Sequence, residues 1–361
     1  MTILLCRPTL SLTSGAGQLM RAQAVGLRAA GRKVELCCRR GAFSFFLTTG
    51  LRARGIDPAK LESLAARAGI LLVDHGMHLR FADVVFVHNL LSEAARHVAR
   101  DDWRAGAEQE AELFRSIDRS ALVIANSNLV RGALLEHFGL DPKRVLVERP
   151  GFRSDRYNPA TKARYRSAAR RSLRLHSRTP LVGFVTSGDF RKRGLDLFLA
   201  AAEAIAEGRA DARFLVVGSK RLPDWAARHP LVEDGRLLYR PKSTHPMRWF
   251  AALDVFLYPA RFEEFGLVVS EALASGLPVL TSRRVGASEC LPAEYGPWLL
   301  DAPDAAGFAE RALALLADPA LRARLGEAGA SSVAPFDEAR YVRATVGLMI
   351  ERARAKAARR G

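Results

Sequence analysis

Two glutamates, Glu263 and Glu271, stand eight positions apart in the sequence. Gly266 lies between them and opens a run with helical spacing, so a strand, a glycine turn and a helix are predicted here. The free N–H groups and positive dipole end of such a helix suit a phosphate or diphosphate. At about 1.5 Å per helical residue the glutamate backbones would be on the order of 12 Å apart, whereas glycosidase carboxylate pairs are separated by roughly 5 to 9.5 Å. The spacing predicts that Glu263 holds the hexose and Glu271 the ribose of a nucleotide sugar, unless both are ordinary surface glutamates of an amphipathic helix.

Three consecutive cations, Arg191, Lys192 and Arg193, follow a predicted strand and Gly188 and precede an amphipathic helical pattern. At the head of a sheet these cations would neutralise a diphosphate leaving group. Stabilisation of developing negative charge is often a large catalytic term. A basic turn on the surface is the alternative, and the pattern leaves the register of the basic pair open between neighbouring positions.

The elements that must position these residues alternate along the chain as predicted strands and helices. Thr2–Leu5 and Val34–Cys38 are predicted strands, and the helical pattern between them begins after Gly15 and Gly17. Glycines at a helix start let a ligand's phosphate or sugar approach closely, although they could simply form the turn. The alternation continues in two halves, which predicts two doubly wound α/β domains with the active site in the cleft.

His88 ends a predicted buried strand over residues 82–88. Open α/β sheets place ligand-contacting residues at the carboxyl ends of their strands. His88 is therefore a candidate for the catalytic site, and a satisfied structural histidine is the alternative.

The chain is strongly basic, with 55 Lys and Arg against 38 Asp and Glu, a net charge of +17 and a pI near 10.5. Such a field favours nucleic acid, an acidic membrane surface or a phosphorylated glycolipid as partner. The sequence has no helix-turn-helix, zinc or aromatic RNA motif, which argues against nucleic acid as a partner. Aromatic residues beside arginines, at Phe43, Phe45, Phe46, Arg52 and Arg54, could contact a membrane surface or belong to the core.

The chain of 361 residues, 49% of them hydrophobic, is long enough for two domains. Its N-terminal apolar stretch is too short for a signal peptide or a membrane span, which predicts a cytoplasmic protein. The four cysteines show no paired framework, so we expect reduced, buried thiols. No metal-ligand cluster is visible and no D-x-D sequence stands at a strand end, so we expect metal-independent chemistry without a cofactor.

The string EEFGLVVSEALASGLPVL, from Glu263 to Leu280, resembles the signature of the retaining nucleotide-sugar glycosyltransferases of family four. In that signature two glutamates flank seven residues and are followed by A-x-x-x-G-x-P-V. Within the family the chain is most similar to the lipopolysaccharide-core glucosyltransferases. The resemblance implies the glycosyltransferase B fold, in which two Rossmann-like domains face each other across a cleft, with the acceptor on the N-terminal domain and the nucleotide on the C-terminal one.

The resemblance also implies roles for single residues. The catalytic set is Lys192, Arg193, Glu263 and His88, and the substrate-binding set is Gly15, Gly17, Arg191, Gly266, Leu267, Val268 and Glu271. The glycine loop would face the donor, His88 would touch the donor sugar, and the basic pair and the helix start would stabilise the departing diphosphate.

The segment PGFRSDRYNP at residues 150–159 resembles the family's N-G-V-D-x-x-x-F-x-P, with Pro150 and Arg153 where the family has Asn and Asp. We therefore expect an acceptor-binding domain over residues 1–160, followed by a basic connection with a first helix over 161–178, whose charge is solvated or acceptor-facing. A nucleotide-sugar domain would follow over 179–335, and a helix over 336–361 would pack back on the first domain.

The expected activity is metal-independent, retaining transfer of a hexose to a glycolipid or polysaccharide. The residues leave the nucleobase, the sugar and the acceptor open. The basic charge and the resemblance favour UDP-glucose as donor and lipopolysaccharide core as acceptor, at the inner face of the cytoplasmic membrane. A nucleotide-sugar epimerase of the same fold, or a basic lipid- or nucleic-acid-binding protein with a vestigial donor site, are the alternatives.

Overall fold

The computed structural model describes residues 1–10, 14–40, 46, 50–51, 53–55, 57–65, 69–76, 79–243 and 245–358. The chain divides into two compact units. Unit 1 contains Met1–Gly151 and Glu338–Gly361, and unit 2 contains Phe152–Asp337. The expectation of a membrane contact at Phe43, Phe45 and Arg52 lies outside the described residues.

Unit 1 is built on a parallel sheet of seven strands in the order β3-β2-β1-β4-β5-β6-β7. The central strands are buried and almost purely apolar, because helices cover both faces of a parallel sheet. The strands are β1 (Thr2–Thr9), β2 (Lys33–Arg40), β3 (Ala53–Gly55), β4 (Ile70–Asp74), β5 (Val84–Val87), β6 (Leu122–Ala125) and β7 (Val145–Val147).

In the part of unit 1 that the structure describes there are six α-helices, and the last of them comes from the C-terminal end of the chain. They are α1 (Gly15–Ala29), α2 (Pro58–Ala65), α3 (Leu91–His97), α4 (Arg104–Ser116), α5 (Asn128–Phe138) and α14 (Glu338–Ala358). Helix α14 packs on α1, where Gln23 donates a hydrogen bond to the Tyr341 hydroxyl at 3.2 Å. Its distal end is held by Lys356, whose ammonium lies 2.7 Å from Asp83.

Unit 2 contains a parallel sheet of six strands in the order β10-β9-β8-β11-β12-β13. The strands are β8 (Leu181–Val185), β9 (Arg213–Gly218), β10 (Leu237–Pro241), β11 (Val255–Leu257), β12 (Val279–Ser282) and β13 (Leu299–Leu300). The helices are α6 (Pro159–Ser172), α7 (Leu195–Gly208), α8 (Asp224–Ala227), α9 (Pro230–Glu233), α10 (Met247–Ala252), α11 (Leu267–Ala274), α12 (Ala305–Ala317) and α13 (Pro319–Val333).

Both sheets reverse their winding direction once, which confirms the predicted pair of doubly wound α/β folds. In unit 1 the reversal lies between β1 and β4, and in unit 2 between β8 and β11. The crevice outside the carboxyl ends of two such strands is the usual ligand site of an open α/β sheet. The residues that follow β8 and β11 therefore form the candidate ligand site of unit 2.

The predicted basic connection over residues 161–178 lies within unit 2, and its expected first helix is α6. Two of its arginines are paired with a carboxylate of the same unit and one of them, Arg170, is buried, which differs from the expected solvated charge. Arg166 contacts a carboxylate oxygen of Asp254 at 2.5 Å, and Arg170 lies 3.4 Å from the other oxygen and donates to the Ala252 carbonyl at 2.7 Å. These contacts tie the helix to the segment that leads into β11.

Two further sequence expectations concern burial and membranes. The four cysteines, Cys6, Cys37, Cys38 and Cys290, are buried, as predicted, and the described structure joins none of them in a disulfide. Among the helices that the structure describes, none combines the length and the apolar character needed to cross a membrane.

The contact between α1 and α14 gives a stability prediction. A Cβ added at Gly26 would lie 2.5 Å from Val342 Cγ1, so Gly26→Ala should destabilise unit 1 by about 1–3 kcal/mol through overpacking. Gly347→Ala on α14 is the matched control, because no described atom lies within 4 Å of its added Cβ, and it should stabilise the helix by about 0.5–1 kcal/mol. Urea unfolding followed by circular dichroism measures both, and equal shifts for the two variants would contradict this packing.

Candidate functional site

The candidate site of unit 2 is formed by two loops at the reversal point of its sheet. Residues 186–194 follow β8 and are named the cation loop, and residues 258–266 follow β11 and are named the glutamate loop. The cation loop contains the predicted basic cluster and leads into α7, while the glutamate loop contains Glu263 and leads into α11. The topology thus places the two predicted clusters side by side.

Two adjacent ion pairs join these loops. The Lys192 ammonium lies 2.6 Å from a carboxylate oxygen of Glu264, and the Arg193 guanidinium contacts the carboxylate of Glu263. Lys192 is 7% exposed, Glu263 7% and Glu264 1%. Buried charges are tolerated only when they are paired and hydrogen-bonded, so each loop depends on the other for its charge balance.

Tyr258 gives the Glu263 carboxylate a second partner, because its hydroxyl donates a hydrogen bond of 2.7 Å. Burial raises the pKa of Tyr258 well above its ordinary value, so the phenol stays protonated. The Thr186 hydroxyl also bonds to Tyr258 and accepts from the backbone N–H of Gly188 at 3.1 Å. This chain of contacts fixes the orientation of the Glu263 carboxylate.

Arg193 keeps its charge beside Glu263. Burial alone would lower the pKa of Arg193, but the Glu263 carboxylate, followed by Tyr258 and Glu264, raises it above the ordinary value. The structure pairs Arg193 with Glu263 and Lys192 with Glu264. Arg191, the third predicted cation, is exposed.

Helix α11 begins where the sequence predicted it. Gly266 caps it with φ +89°, and a Cβ at this position would lie 3.0 Å from Glu263 Cγ and from Val285 Cγ1. Only glycine fits both the backbone conformation and the space. Because the helix starts at Leu267, the helical spacing assumed between Glu263 and Glu271 applies to only part of that segment. Glu263 lies before the helix, and its backbone N–H donates a hydrogen bond to the Arg284 carbonyl at 2.9 Å.

Glu271 lies on α11 and hydrogen-bonds to Tyr157, a buried residue that precedes α6. Burial raises the pKa of Glu271 to about 8, while Tyr157 and Arg156 act in the opposite direction. A ligand hydroxyl that donates to this carboxylate would replace part of the hydration that burial removes. The position therefore suits recognition of a polar, hydroxyl-rich group.

Unit 1 places His88 directly after β5, at the carboxyl end of its sheet. His88 Nε2 lies 2.9 Å from Nδ1 of His75, which follows β4 and stacks on Phe86 with ring centroids 4.6 Å apart. Burial, and secondarily the charge of Arg7, lowers the pKa of His88 to about 3, and burial likewise lowers that of His75. The pair is neutral at physiological pH, with one ring donating and the other accepting.

A buried carboxylate supports the segment after His88. Glu110 on α4 accepts hydrogen bonds from the backbone N–H groups of Leu91 and Ser92 at 3.1 and 2.8 Å, and so caps the start of α3. The predicted glycine loop is described only from Ser14 onward. There Gly15 and Gly17 form the first turn of α1, and Ser14 accepts from the Gly17 N–H at 3.2 Å.

Sequence reasoning missed four residues of these sites: Glu264, Tyr258, Tyr157 and His75. The sequence did contain a signal for Glu264, because it is adjacent to Glu263 just as Lys192 is adjacent to Arg193, so that two carboxylates could pair with two cations. The other three gave none, since their partners are fixed by strand order and not by local spacing. Within the described ranges, no group of three His, Cys, Asp or Glu side chains is arranged to hold a metal ion.

Comparison with known proteins places this geometry among sugar-transfer enzymes. Residues 179–318 match the family described as Glycosyl transferases group 1. The chain is 30% identical over 270 residues to the D-inositol 3-phosphate glycosyltransferase of Pseudarthrobacter chlorophenolicus, an alignment that covers 73% of this chain but only 60% of that protein. It is 30% identical over 308 residues to the protein of the same name from Rhodococcus opacus, which covers 75% of this chain and 68% of the relative.

Solved structures share the architecture over almost the whole chain. WaaG, a glycosyltransferase involved in lipopolysaccharide biosynthesis, superposes with a TM-score of 0.78 at 16% identity, over 96% of this chain and 99% of WaaG. Anabaena HepE in complex with UDP-glucose superposes with a TM-score of 0.77 at 17% identity, over 97% and 99% of the two chains. At such identities the likeness concerns the fold, and it confirms the predicted glycosyltransferase B class.

The buried ion pairs give a second stability prediction. Lys192→Met removes the cation nearest the buried Glu264 carboxylate and leaves only Arg193, 4.0 Å away, beside it, so it should destabilise unit 2 by roughly 3–5 kcal/mol. The double variant Lys192→Met/Glu264→Leu removes both charges and should recover most of that loss. Three of the four tryptophans, Trp225, Trp249 and Trp298, lie in unit 2, so tryptophan fluorescence during urea unfolding reports mainly on that unit. A single variant as stable as the wild type, or a double variant no better than the single one, would contradict the pairing.

The histidine pair gives a pH prediction. Because the pKa of His88 is about 3 and that of His75 is also lowered, their ring signals in NMR spectra should not titrate between pH 8 and pH 5. The unfolded chain binds these protons below about pH 6.5, so the pair should make the folded state progressively less stable as the pH falls below that value. The urea-unfolded chain is the control. A His75 or His88 ring that titrates near pH 6.5 in the folded protein would disprove the prediction.

Proposed function

The chain belongs to the group 1 glycosyl transferases of family four, and from this premise we propose that it transfers a sugar from a nucleotide diphosphate sugar to an acceptor hydroxyl. The observation that carries the proposal is the double ion pair at the reversal point of the unit 2 sheet, beside a helix that starts at a glycine. That arrangement joins an anion-binding backbone to carboxylates able to hold hydroxyl groups.

The donor would lie along α11 and the glutamate loop. Its diphosphate would bind at Gly266, Leu267 and Val268, because the first N–H groups of a helix have no acceptor within the helix. Glu271 would accept from the ribose hydroxyls, and Glu263 from the sugar hydroxyls. This placement of the donor is supported by the two carboxylates, because Glu263 precedes the start of α11 and Glu271 follows it.

The basic pair would stabilise the departing diphosphate. A guanidinium has five N–H donors and an ammonium has three, so the contacts of Arg193 with Glu263 and of Lys192 with Glu264 leave capacity for phosphate oxygens. The charges of the two cations and the two carboxylates balance before the donor binds, so the site has no buried net charge. Exposed Arg191 would add positive charge at the rim.

Glu263 would position the sugar and would not act as nucleophile. Its carboxylate already accepts from the Arg193 guanidinium and the Tyr258 hydroxyl, and such contacts stabilise the anion and weaken it as a nucleophile. The sugar–phosphate bond would therefore dissociate first, and the acceptor hydroxyl would attack from the same face and pass its proton to the leaving phosphate. This path retains the anomeric configuration.

We assign the substrate contacts of unit 1 to His88, Gly15 and Gly17. Neutral His88 can donate to or accept from a sugar hydroxyl without carrying charge. Helix α1 begins at Gly15, so its first-turn N–H groups, apart from the Gly17 N–H that donates to Ser14, would suit an oxygen of the substrate. These roles follow the family resemblance and the position of each residue at the carboxyl edge of the sheet.

UDP-glucose is the donor we propose, since HepE was solved with UDP-glucose. For the acceptor, two phosphorylated classes compete. WaaG acts in lipopolysaccharide biosynthesis, which agrees with a core glycolipid, whereas the relatives named above point to an inositol phosphate. The net charge of +17 favours an anionic acceptor in either case. With a glycolipid acceptor, the protein would work at the anionic cytoplasmic face of a membrane.

Calorimetric titration with UDP and with GDP tests the donor assignment. We expect one nucleotide to bind, and Glu271→Ala to weaken that binding about two- to tenfold, because a pKa of about 8 leaves the Glu271 carboxyl largely neutral at pH 7 and a neutral hydrogen bond to ribose contributes roughly 0.5–1.5 kcal/mol. Glu310→Ala, which removes an exposed glutamate from α12 of the same unit, is the control and should bind like the wild type.

The outcomes separate the competing functions. If neither nucleotide binds while anionic vesicles or DNA do, the transferase proposal fails and a basic binding protein takes its place. If a nucleotide sugar is converted into its epimer without an acceptor, the epimerase is correct. NMR of the product made with inositol phosphate or with lipopolysaccharide core decides the acceptor and the anomeric configuration together.

A further inference from the structure

Arg261, in the glutamate loop, reaches across to the cation loop and to the helix that follows it. Its guanidinium contacts both carboxylate oxygens of Asp196 on α7, at 2.7 and 2.5 Å. The same guanidinium donates to the backbone carbonyl of Arg191 at 3.0 Å. A bidentate arginine–carboxylate pair fixes direction as well as distance, so this side chain specifies where the carbonyl of residue 191 lies.

The backbones of the two loops are joined at the same place. The Arg261 N–H donates to the Lys192 carbonyl at 3.0 Å. Two residues later Gly194 takes φ +75°, and a Cβ there would lie 2.0 Å from the Pro259 carbonyl oxygen. The loops therefore touch on one side through backbone atoms, on another through the buried ion pairs, and on the solvent side through Arg261.

We propose that Arg261 is a positioning residue, which with Asp196 holds the backbone of Arg191 and Lys192 so that the basic pair meets the leaving diphosphate. The inference rests on the proposed transferase function for its catalytic consequence. We do not assign Arg261 to the phosphate, because its guanidinium is directed at Asp196 and the Arg191 carbonyl, to which it donates three hydrogen bonds.

The pair matters through geometry and not through its own binding energy. The Arg261 side chain is 27% exposed and that of Asp196 45%, and ion pairs so close to water stabilise a protein little. The backbone that they hold, however, carries both cations of the site. A displacement of about 1 Å in a catalytic group can cost roughly a hundredfold in rate, so a small loosening of this loop should be visible in turnover.

Hydrogen exchange detected by mass spectrometry tests the positioning directly. In Arg261→Met the amides of residues 190–194 should exchange at least about fivefold faster than in the wild type, while those of β8 and the far end of α7 should not change. Arg236→Met is the matched control, because Arg236 pairs with Asp234 in the same unit at 2.7 Å with similar exposure, 32% and 40%. Unchanged exchange at 190–194 would overturn the proposal whatever the protein's activity is.

Kinetics tests the consequence. With UDP-glucose as donor, Arg261→Met should lower kcat for UDP release roughly tenfold and change KM by less than about threefold, as expected when stabilisation is lost in the transition state only. Asp196→Asn should act in the same direction, and the double variant should be no worse than Arg261→Met, because both residues serve one contact. Arg261→Lys, which cannot make the bidentate pair, should not restore kcat.

The failures are distinguishable. A wild type that binds no nucleotide and releases no UDP defeats the proposed function, and the exchange experiment still decides the positioning. An active wild type with a folded Arg261→Met variant of unchanged kcat leaves the transferase function intact and defeats this inference.

Discussion

The two adjacent ion pairs between the cation loop and the glutamate loop are the interaction on which the candidate site depends. Lys192 and Glu264 are 72 positions apart in the chain, yet they meet at 2.6 Å in a place almost closed to solvent. Each of these charges would be costly alone and becomes tolerable only beside its partner. The pairs therefore do more than add stability, because they make the conformation of each loop a condition for burying the other.

Glycines make that approach possible. Gly194 lies against the Pro259 carbonyl, and Gly266 leaves no space for a Cβ beside Glu263 and Val285. Both take positive φ angles, which side chains disfavour. The charges and the glycines act together, because the glycines let the loops come close enough for pairing, and the pairing holds the two loops in this arrangement. A diphosphate arriving at the helix start would meet a site that is already ordered and electrically balanced.

The fold and the main chemical residues could be read from the sequence, because their signals are local. Alternating strands and helices specify a doubly wound sheet, and the glycine at position 266 marks a helix start whatever surrounds it. The motif with Glu263 and Glu271 is a short-range pattern as well. The helix over Pro159–Ser172 shows the limit: its arginines looked like a solvated connection, and only the fold brings Asp254 to Arg166 and Arg170.

The sequence by itself determined the type of fold, the order of the elements and which residues could bind a nucleotide sugar. It did so because hydrophobic period, turn residues and contiguous motifs act over a few positions. The tertiary structure alone decided which cation meets which glutamate, that Tyr258 and Tyr157 hold the two carboxylates, that His75 partners His88, and that Arg261 spans the two loops. Those choices depend on strand order, since β8 and β11 are neighbours in the sheet although 69 residues separate the end of one strand from the start of the next, and no local pattern encodes that distance.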